Sequence, residues 1–247
     1  MIHTNWLSVK YLLYYYQIMQ KLIKNYPQKS FDHAVTAVDV VLFTVSENNL
    51  KVLLLKLKEK PFEQMWALPG GLVTKDETLL AAAHRHLKTK LDIKESAHIE
   101  QLYTFGDPNR DPNGWVVSVA YMALVQNDKI NPRHSDRYGS VQWYPVTNLP
   151  KLAYDHNEII KTALERLQAK ATYTNIIYTL MPKEFTLTNL QNMYETILNK
   201  KIDKRNFRKK IISLNILKNL RRKSPISNRP AELYSFKEQK LQETNLV

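Results

Sequence analysis

The sequence of 247 residues contains no cysteine. This excludes disulfide bonds and thiolate metal sites, and it is typical of proteins in a reducing compartment. No run of about 18 uncharged apolar residues, the length that a membrane-spanning helix needs, is present. No cleavage site of small residues follows the N-terminal segment, as a signal peptide would require. We therefore expect a cytoplasmic protein with no membrane partner.

Acidic residues are scarce at both ends of the chain. Residues 1–29 contain four lysines and no acid, and residues 200–247 contain 14 Lys and Arg against four acids. The net charge of the whole sequence is +13, so the middle is close to neutral. A strongly basic end indicates an anionic polymer as its partner, and the alternative is a basic tail surrounded by solvent. The apolar period within this basic end favours the first interpretation.

The N-terminal extension, residues 1–30, combines four tyrosines between positions 11 and 16 with several Leu and Ile. Two interpretations are open. The segment is either a short amphipathic helix that packs on the body or on a partner subunit, or an extension with little structure.

From residue 31 the pattern alternates between strand-forming runs and two helical stretches. Residues 34–45 and 50–56, separated by Glu47-Asn48-Asn49, predict a β-hairpin. Further strands are predicted at residues 65–68, 98–105, 115–125 and 141–144, with a turn at Gly70-Gly71. Helices are predicted at residues 79–91 and 155–170, the second opened by Asp155-His156-Asn157-Glu158, which has capping-box spacing. The pattern predicts a mixed sheet between two helices.

Helices dominate beyond a predicted domain boundary at about Ala171. Thr186 is a good N-cap, preceded by Phe185 for a hydrophobic staple, and Asp203 is a second N-cap. Asn215 is expected to end the second helix in the left-handed conformation. A strand at residues 216–220, a basic loop at 221–230 and a returning strand at 231–236 complete the order of a winged helix–turn–helix.

The central stretch GLVTKDETLLAAAHRHLKTKLDI, residues 71–93, resembles the signature box of the Nudix fold. That pattern is a Gly, five residues, a Glu, seven residues, Arg-Glu, an aliphatic residue, any residue, Glu-Glu, any residue, Gly and an aliphatic residue. Gly71, Glu77, Arg85, Leu87 and Ile93 are in register with it.

The catalytic positions of this box lack their carboxylates. His86 stands in place of the first catalytic Glu, Thr89 and Lys90 stand in place of the Glu-Glu pair, and Asp92 replaces the second Gly. His86, Thr89 and Lys90 share one helical face by their spacing. Mg²⁺ prefers carboxylate and phosphate oxygens, and an ammonium repels it. We therefore expect no catalytic residues, no metal site, no cofactor and no enzymatic activity.

Residues 31–236 as a whole resemble the Nudix-related transcriptional regulators. The resemblance rests on WALPGG at 66–71, FGDPNRDP at 105–112, the helix start at Asp155-His156, FTLTNLQNMYE at 185–195 and DKRNFRKKI at 203–211. It implies an α/β fold, with a Nudix α/β/α sandwich and mixed sheet at residues 31–170 as the effector-sensing domain. A winged helix–turn–helix DNA-binding domain then occupies residues 171–247.

The function that this resemblance implies is DNA-binding transcription regulation, with repression as the expected mode. A catalytically inactive Nudix domain would sense a nucleotide-sugar or sugar-phosphate metabolite, such as ADP-ribose or a pentose derivative. The partners would be this effector, a double-stranded and palindromic operator, and a second copy in a homodimer. Two alternatives remain open. One is a Nudix hydrolase of ADP-ribose or a related sugar that takes metal ligands from Glu77, Asp92 or Asp111, and the other is an RNA-binding or scaffolding protein.

Candidate DNA-binding residues fall into two groups. Arg and Asn can read base edges and Lys can hold phosphates, so the helix residues should lie in or beside the major groove, and the wing residues should touch the backbone or the minor groove. The helix group is Lys204, Arg205, Asn206, Arg208 and Lys209, and the wing group is Arg221, Arg222, Lys223 and Arg229.

Candidate effector-binding residues are cations near the box and a tryptophan. The cations suited to phosphates are Lys56, Lys58, Arg85 and Arg110. Trp66 or Trp115 could stack on a base or ribose. Three structural alternatives remain: an Arg85–Glu77 ion pair, a core position for Trp115, and a helix-capping role for His156.

Overall fold

The computed structural model describes residues 33–91, 93, 98–126, 139–224 and 230–244. The predicted extension at residues 1–30, together with Asp92 and Arg229, lies outside the described residues. Ala34–Val247 forms one compact unit. No helix in the described ranges is long and apolar enough to cross a membrane.

A mixed β-sheet forms the centre of the N-terminal part. Its strands run in the order β3-β2-β1-β6-β5, with β4 paired to β1 and β7 paired to β2. Only the β1–β6 pair is parallel among the pairs described. The strands are β1 (Val35–Ser46), β2 (Asn49–Lys56), β3 (Trp66–Ala67), β4 (Gly70–Leu72), β5 (His98–Phe105), β6 (Val116–Leu124) and β7 (Val141–Pro145).

Strand β1 is almost continuously buried because helices cover both faces of the sheet. Val38 and Val40 face helix α1 (Leu79–Leu91), whose Ala82 and Ala83 allow a close approach. Val41 and Phe43 face the opposite side, where helix α2 (His156–Tyr173) packs. This confirms the predicted α/β/α layering.

Two local predictions in this part are wrong. Gly70-Gly71 is not a turn but the start of β4, which pairs with residues 37–39 of β1. A Cβ on Gly70 would lie 2.3 Å from Oδ1 of Asp39, so only glycine permits this approach. The carboxylate of Asp155 does not cap α2, because it is bound elsewhere. The predicted boundary at residues 170/171 falls within α2.

The C-terminal part has the predicted order of a winged helix. A short 3₁₀ helix (Ile176–Thr179) precedes it. Its elements are β8 (Phe185–Thr186), α3 (Leu187–Leu198), α4 (Lys204–Ser213), β9 (Leu217–Lys223) and β10 (Glu232–Phe236). The strands form a small sheet in the order β8-β10-β9, and β8 was not predicted from the sequence.

The predicted helix boundaries are confirmed by their hydrogen bonds. Thr186 Oγ1 accepts from the Asn189 N–H at 3.1 Å, and Asn189 Oδ1 accepts in return from the Thr186 N–H at 3.0 Å. Asp203 accepts from the Asn206 N–H at 2.8 Å. Asn215 has a φ of 55°, as a left-handed helix end requires.

One hydrophobic cluster joins the two parts of the unit. It begins in the sheet with residues such as Val41, passes along α2 and continues through Tyr194 of α3 to Phe207 and Ile211 of α4. The rings of Tyr194 and Phe207 meet edge-on with centroids 5.5 Å apart. The basic helix α4 is therefore packed against the same core as the sheet.

Candidate functional site

Helix α4 separates its apolar side chains from its cations. Phe207 and Ile211 are buried against α3. The cations and amide that were predicted for this helix are mostly exposed: Lys204, Arg205, Asn206 and Lys209. Asp203, at the start of α4, uses its carboxylate to cap the helix. The exposed side of α4 is thus a positively charged surface of the size that a nucleic-acid groove accepts.

Arg208 differs from its neighbours because it points back towards α3. It is half-buried, and its Nη2 donates to Thr188 Oγ1 at 3.3 Å in the first turn of that helix. The side chain therefore lies where the two helices meet rather than at the outermost face.

The wing carries three further predicted cations, Arg221, Arg222 and Lys223, all exposed. They were predicted in a loop, but the structure places them in β9. Arg221 has a φ of 53°, within a bulge where the register between β9 and β10 shifts. A bulge interrupts the alternation of side chains between the two faces of a strand, which is why consecutive cations can all face solvent here.

A carboxylate that sequence reasoning missed holds the turn between α3 and α4. Glu195 accepts hydrogen bonds from Lys201 Nζ at 2.8 Å, Gln191 Nε2 at 2.9 Å and the Ile202 N–H at 3.1 Å. The hydrogen bond from Lys201, followed by those from Gln191 and Ile202, lowers the pKa of Glu195 to about 2. This network fixes the direction in which α4 leaves the turn.

An open pocket of about 590 Å³ lies in the N-terminal part, beside α1 and at the end of the sheet where β1 and β6 begin. Its lining contains the cations Lys58, Lys60, Lys90 and Arg110, and the exposed indole of Trp115. Trp115 is 49% exposed, so the alternative that it belongs to the core is wrong. The combination of several cations with an open aromatic ring suits a phosphorylated ligand that also has a ring.

A buried polar cluster lies beneath this pocket. Arg110 donates from Nε and Nη2 to the two carboxylate oxygens of Asp155, at 2.8 and 2.6 Å. Its Nη2 also lies 3.5 Å from Oδ2 of Asp39, which accepts from Ser118 Oγ at 2.6 Å. Asp39 was not singled out from the sequence, because an acid within a Val-rich strand has no local signature of its partners.

His156 belongs to the same cluster and does not cap α2. The Leu68 N–H donates to its Nδ1 at 2.9 Å, so Nε2 carries the proton and faces Oδ1 of Asp39 at 3.6 Å. Burial lowers the pKa of His156, against the opposing effect of the Asp39 and Asp155 carboxylates. The imidazole is therefore neutral near pH 7, and its role here is to hold in place the connection between β3 and β4 at Leu68.

Two of the degenerate positions of the box, His86 and Lys90, face β4, whereas Thr89 is exposed and its Oγ1 donates to the Arg85 carbonyl of the same helix. His86 is buried, and its Nε2 donates to the Leu72 carbonyl at 3.2 Å. The ammonium of Lys90 donates to the carbonyl oxygen of Gly70. Burial lowers the pKa of His86, with the charge of Lys90 adding to this effect. Within the described ranges, no group of three or more His, Asp or Glu side chains is arranged to hold a metal ion.

Arg85 forms the ion pair that was left open as a structural alternative. Its Nε and Nη2 donate to the carboxylate of Glu77 at 2.8 and 2.5 Å, and Nη2 also donates to the Leu72 carbonyl at 3.0 Å. The hydrogen bond from Arg85, together with the Thr74 N–H, lowers the pKa of Glu77 to about 2. Glu77 is thus bound by an arginine of α1, the helix that follows it.

The structure brings together only some of the predicted effector residues. Lys58 and Arg110 line the pocket, and Lys56, Trp66 and Arg85 are outside its lining. Trp66 packs edge-on against Tyr144, with ring centroids 4.8 Å apart, beside the core of the opposite sheet face.

Two family models match these two parts of the chain. Residues 34–166 match the NUDIX domain, and residues 177–236 match the NrtR DNA-binding winged helix domain. The chain belongs to the NrtR family. This confirms the fold class and the family resemblance that were predicted from the sequence.

Relatives of this NrtR-family chain include a repressor and an enzyme. The ADPR responsive transcriptional repressor NtrR of Acinetobacter baylyi is 35% identical over 221 residues, which cover 88% of each chain. The ADP-ribose pyrophosphatase of Methanocaldococcus jannaschii is 33% identical over 145 residues, 58% of this chain and 82% of its own.

Solved structures of Shewanella oneidensis NrtR are similar to this NrtR-family chain in both parts. Its complex with a 27mer DNA has a TM-score of 0.71 at 36% identity, over 82% of this chain and 93% of that chain. Its NUDIX domain complexed with ADP ribose has a TM-score of 0.52 at 37% identity, over 60% of this chain and 97% of that chain. The chain is thus a homologue of a DNA-binding regulator.

Proposed function

We propose that this chain is a transcriptional repressor that binds double-stranded DNA and responds to ADP-ribose or a closely related nucleoside diphosphate sugar. The observation that carries the proposal is the basic face of α4, which stands on a winged helix continuous with the core of a Nudix domain. The Acinetobacter relative, named as an ADPR responsive repressor, supports both halves of this function. We further propose that it acts in the cytoplasm on operator DNA.

The DNA-binding surface in this proposal consists of α4 and the wing. Arg205 and Asn206, at the exposed N-terminal end of α4, are assigned to base edges. Lys204, Lys209 and the three wing cations are assigned to phosphates and the minor groove. Arg208 is assigned to a DNA phosphate on the side of α4 that faces α3. Its guanidinium already lies on that side, because it donates a hydrogen bond to Thr188. For Arg229 the assignment stays a prediction from the sequence.

The effector site in this proposal is the pocket beside α1. Lys58 and Arg110 would meet the diphosphate, and the exposed ring of Trp115 would stack on the base. For Lys56, Trp66 and Arg85 an effector role stays a prediction, and their contacts favour structural roles. The division into a sensing domain at residues 31–170 and a DNA-binding domain at 171–247 belongs to the same proposal.

The Nudix domain is proposed to be catalytically inactive. Lys90 occupies the position at which a hydrolase of this family presents a carboxylate, and its ammonium is directed at the Gly70 carbonyl. A divalent cation would meet a fixed positive charge there. The competing function, hydrolysis of ADP-ribose, is favoured by the Methanocaldococcus relative and by the retained Glu77.

The test of the proposal combines both activities in one titration. Full-length protein is added to a labelled duplex selected from random sequence, and fluorescence anisotropy is followed as ADP-ribose is added. We expect a salt-sensitive complex whose affinity changes with ADP-ribose and not with adenosine alone. A complex that forms on duplex RNA as well as on DNA would instead support the RNA-binding alternative.

A homodimer is part of the proposal because a palindromic operator requires two reading helices. Light scattering should therefore give about twice the chain mass of 29.0 kDa at micromolar concentration. A monomer that binds a single half-site with full affinity would contradict this element of the proposal.

A further inference from the structure

Asp155 stands at the position that normally caps α2, but its side chain makes no cap hydrogen bond. Both of its oxygens instead accept from Arg110, which lies 45 residues earlier in the sequence. The first turn of α2 is thus left without the side-chain acceptor that an Asp at this position ordinarily supplies. The ion pair with Arg110 competes with the capping of the helix.

Arg110 is the pocket cation with the most restricted surroundings. Its side chain is 3% exposed, and it lies between the carboxylates of Asp155 and Asp39. Since His156 is neutral, this cluster carries two negative charges against one positive charge. In this arrangement the two carboxylates offset the charge of Arg110, so its guanidinium can bind a diphosphate strongly only after Asp155 moves away.

The backbone next to Asp155 is in an unusual conformation. Tyr154 has a φ of 54°, in the left-handed region that bulky residues rarely adopt. Its ring packs against Phe62 and His156, with centroids 4.4 and 5.1 Å apart, and it lines the same pocket. A strained residue directly before α2 indicates that the surrounding contacts hold this junction in place.

Helix α2 extends from this junction to the winged helix. Its 18 residues give it a length of about 27 Å. Near its far end Gln168 Nε2 donates to the carbonyl oxygen of Ile197, in the last turn of α3, at 3.0 Å. The turn that follows carries Lys201 and leads into α4. A movement of α2 therefore acts directly on the turn that orients the basic helix.

We propose that Arg110 exchanges Asp155 for the diphosphate of the effector, and that the released Asp155 then caps α2. The exchange couples the pocket to the DNA-binding surface, because α2 changes its position or its first-turn geometry and α3 follows through Gln168. This inference rests on the proposed function, since it takes a nucleoside diphosphate sugar as the ligand. Arg110 is a ligand-binding residue in this scheme, and Asp155 is a positioning residue.

The experiment compares full-length wild type with Asp155→Asn, which removes the competing charge and keeps a good N-cap. Calorimetric titration with ADP-ribose should show binding at least about fivefold tighter for the variant, the lower end of usual allosteric coupling. Without ligand, the affinity of the variant for the selected duplex should equal that of wild type saturated with ADP-ribose. A merely structural role for Asp155 would weaken ligand binding instead of strengthening it.

The matched control is Glu158→Gln, which removes an exposed acid from the same turn of α2. We expect it to behave as wild type in both measurements. Asp155→Ser, another capping residue without charge, should reproduce the effects of Asp155→Asn. If wild type binds ADP-ribose and both Asp155 variants match it in ligand and duplex affinity, the inference is overturned and the proposed function stands. If wild type does not bind ADP-ribose, the effector assignment itself falls.

Discussion

The ammonium of Lys90 donates a hydrogen bond to the carbonyl oxygen of Gly70, across the short gap between α1 and β4. Both residues line the pocket in which an effector is proposed to bind. A cation that is fixed at this place does two things. It excludes a second cation, and it adds to the positive charge that a phosphorylated ligand meets.

Catalytic inactivity is the first prediction. With ADP-ribose and either Mg²⁺ or Mn²⁺, the protein should release no AMP above a blank in a coupled or chromatographic assay. Turnover that Glu77→Gln abolishes would contradict it. The triple variant His86→Glu, Thr89→Glu, Lys90→Glu should gain Mn²⁺ binding by calorimetry. Lys88→Glu, which repeats the Lys→Glu change on the exposed face of α1, should not.

The basic helix and the wing should respond differently to substitution. Arg205→Ala should cost roughly 1–3 kcal/mol on the selected duplex and relax specificity at one base pair, since a bidentate base contact is lost. Arg222→Ala should weaken binding to all duplexes and lower the salt slope by about one unit, since a phosphate contact is lost. Anisotropy at several salt concentrations distinguishes the two, and Lys151→Ala, an exposed cation outside the winged helix, is the control.

Substitution of Glu184 should change duplex affinity in the opposite direction to Arg222→Ala in the same assay. Glu184 pairs with Arg222 at 2.5 Å, and both side chains are well exposed. Such a pair adds at most about 1 kcal/mol to stability, and it holds Arg222 away from phosphates. Glu184→Gln should therefore tighten binding to every duplex. Unchanged affinity in both Arg222→Ala and Glu184→Gln would remove the wing from the DNA-binding surface.

Stability should fall on the acid side of neutrality because of His156. Burial lowers the pKa of this group below its ordinary value of 6.5, so on unfolding below that pH the imidazole takes up a proton. The contribution of the neutral His156 to the free energy of unfolding is therefore fully present above about pH 6.5, and it is lost as the pH falls towards the pKa of the folded state. Thermal unfolding between pH 8 and pH 5 measures this slope.

His156→Gln should flatten the acid slope, although the slope should not vanish because burial also lowers the pKa of His86. Gln retains an oxygen that can accept from the Leu68 N–H. The control His84→Gln changes an exposed histidine of α1 and should keep the wild-type slope. An equal slope in all three proteins would show that His156 is not buried in its neutral form.

The hydroxyl of Tyr194 offers a stability test in the C-terminal part. It is buried and has no hydrogen-bond partner among the described residues. Removing an unsatisfied buried hydroxyl relieves a desolvation cost, so Tyr194→Phe should raise the free energy of unfolding by about 1 kcal/mol. Tyr234→Phe, which loses a hydrogen bond to Glu232 at 2.9 Å, is the matched control and should not stabilise. Chemical denaturation of both variants decides the matter.

Elements whose signals are local were predictable from the sequence. The apolar period of residues 79–91 predicted α1 with the bounds that the structure has. Thr186, Asp203 and Asn215 predicted helix ends because a cap depends on residues within one turn. The two-residue strand β8 has no comparable signal, since it exists only through pairing with β10, about 48 residues later.

The polar cluster below the pocket was not predictable for the same physical reason. Asp155 has the sequence environment of a cap, but a guanidinium 45 residues away binds its carboxylate more strongly than a backbone N–H would. Asp39 and Ser118 meet only because β1 and β6 are parallel neighbours. Charge and motif spacing identified Lys58 and Arg110 as candidates, and only the fold separates them from Lys56 and Arg85.

The pairing of β8 with β10 has a consequence for the shape of duplex that this surface accepts. Phe185 and Thr186 lie directly before α3 and pair with Tyr234 and Leu233, while β10 also pairs with β9. The wing strands β9 and β10 are thereby linked through β8 to the N-terminal end of α3. Because this link fixes the distance between the helix and the wing, we expect the surface to bind B-form duplexes in preference to A-form duplexes, whose deep and narrow major groove side chains cannot read.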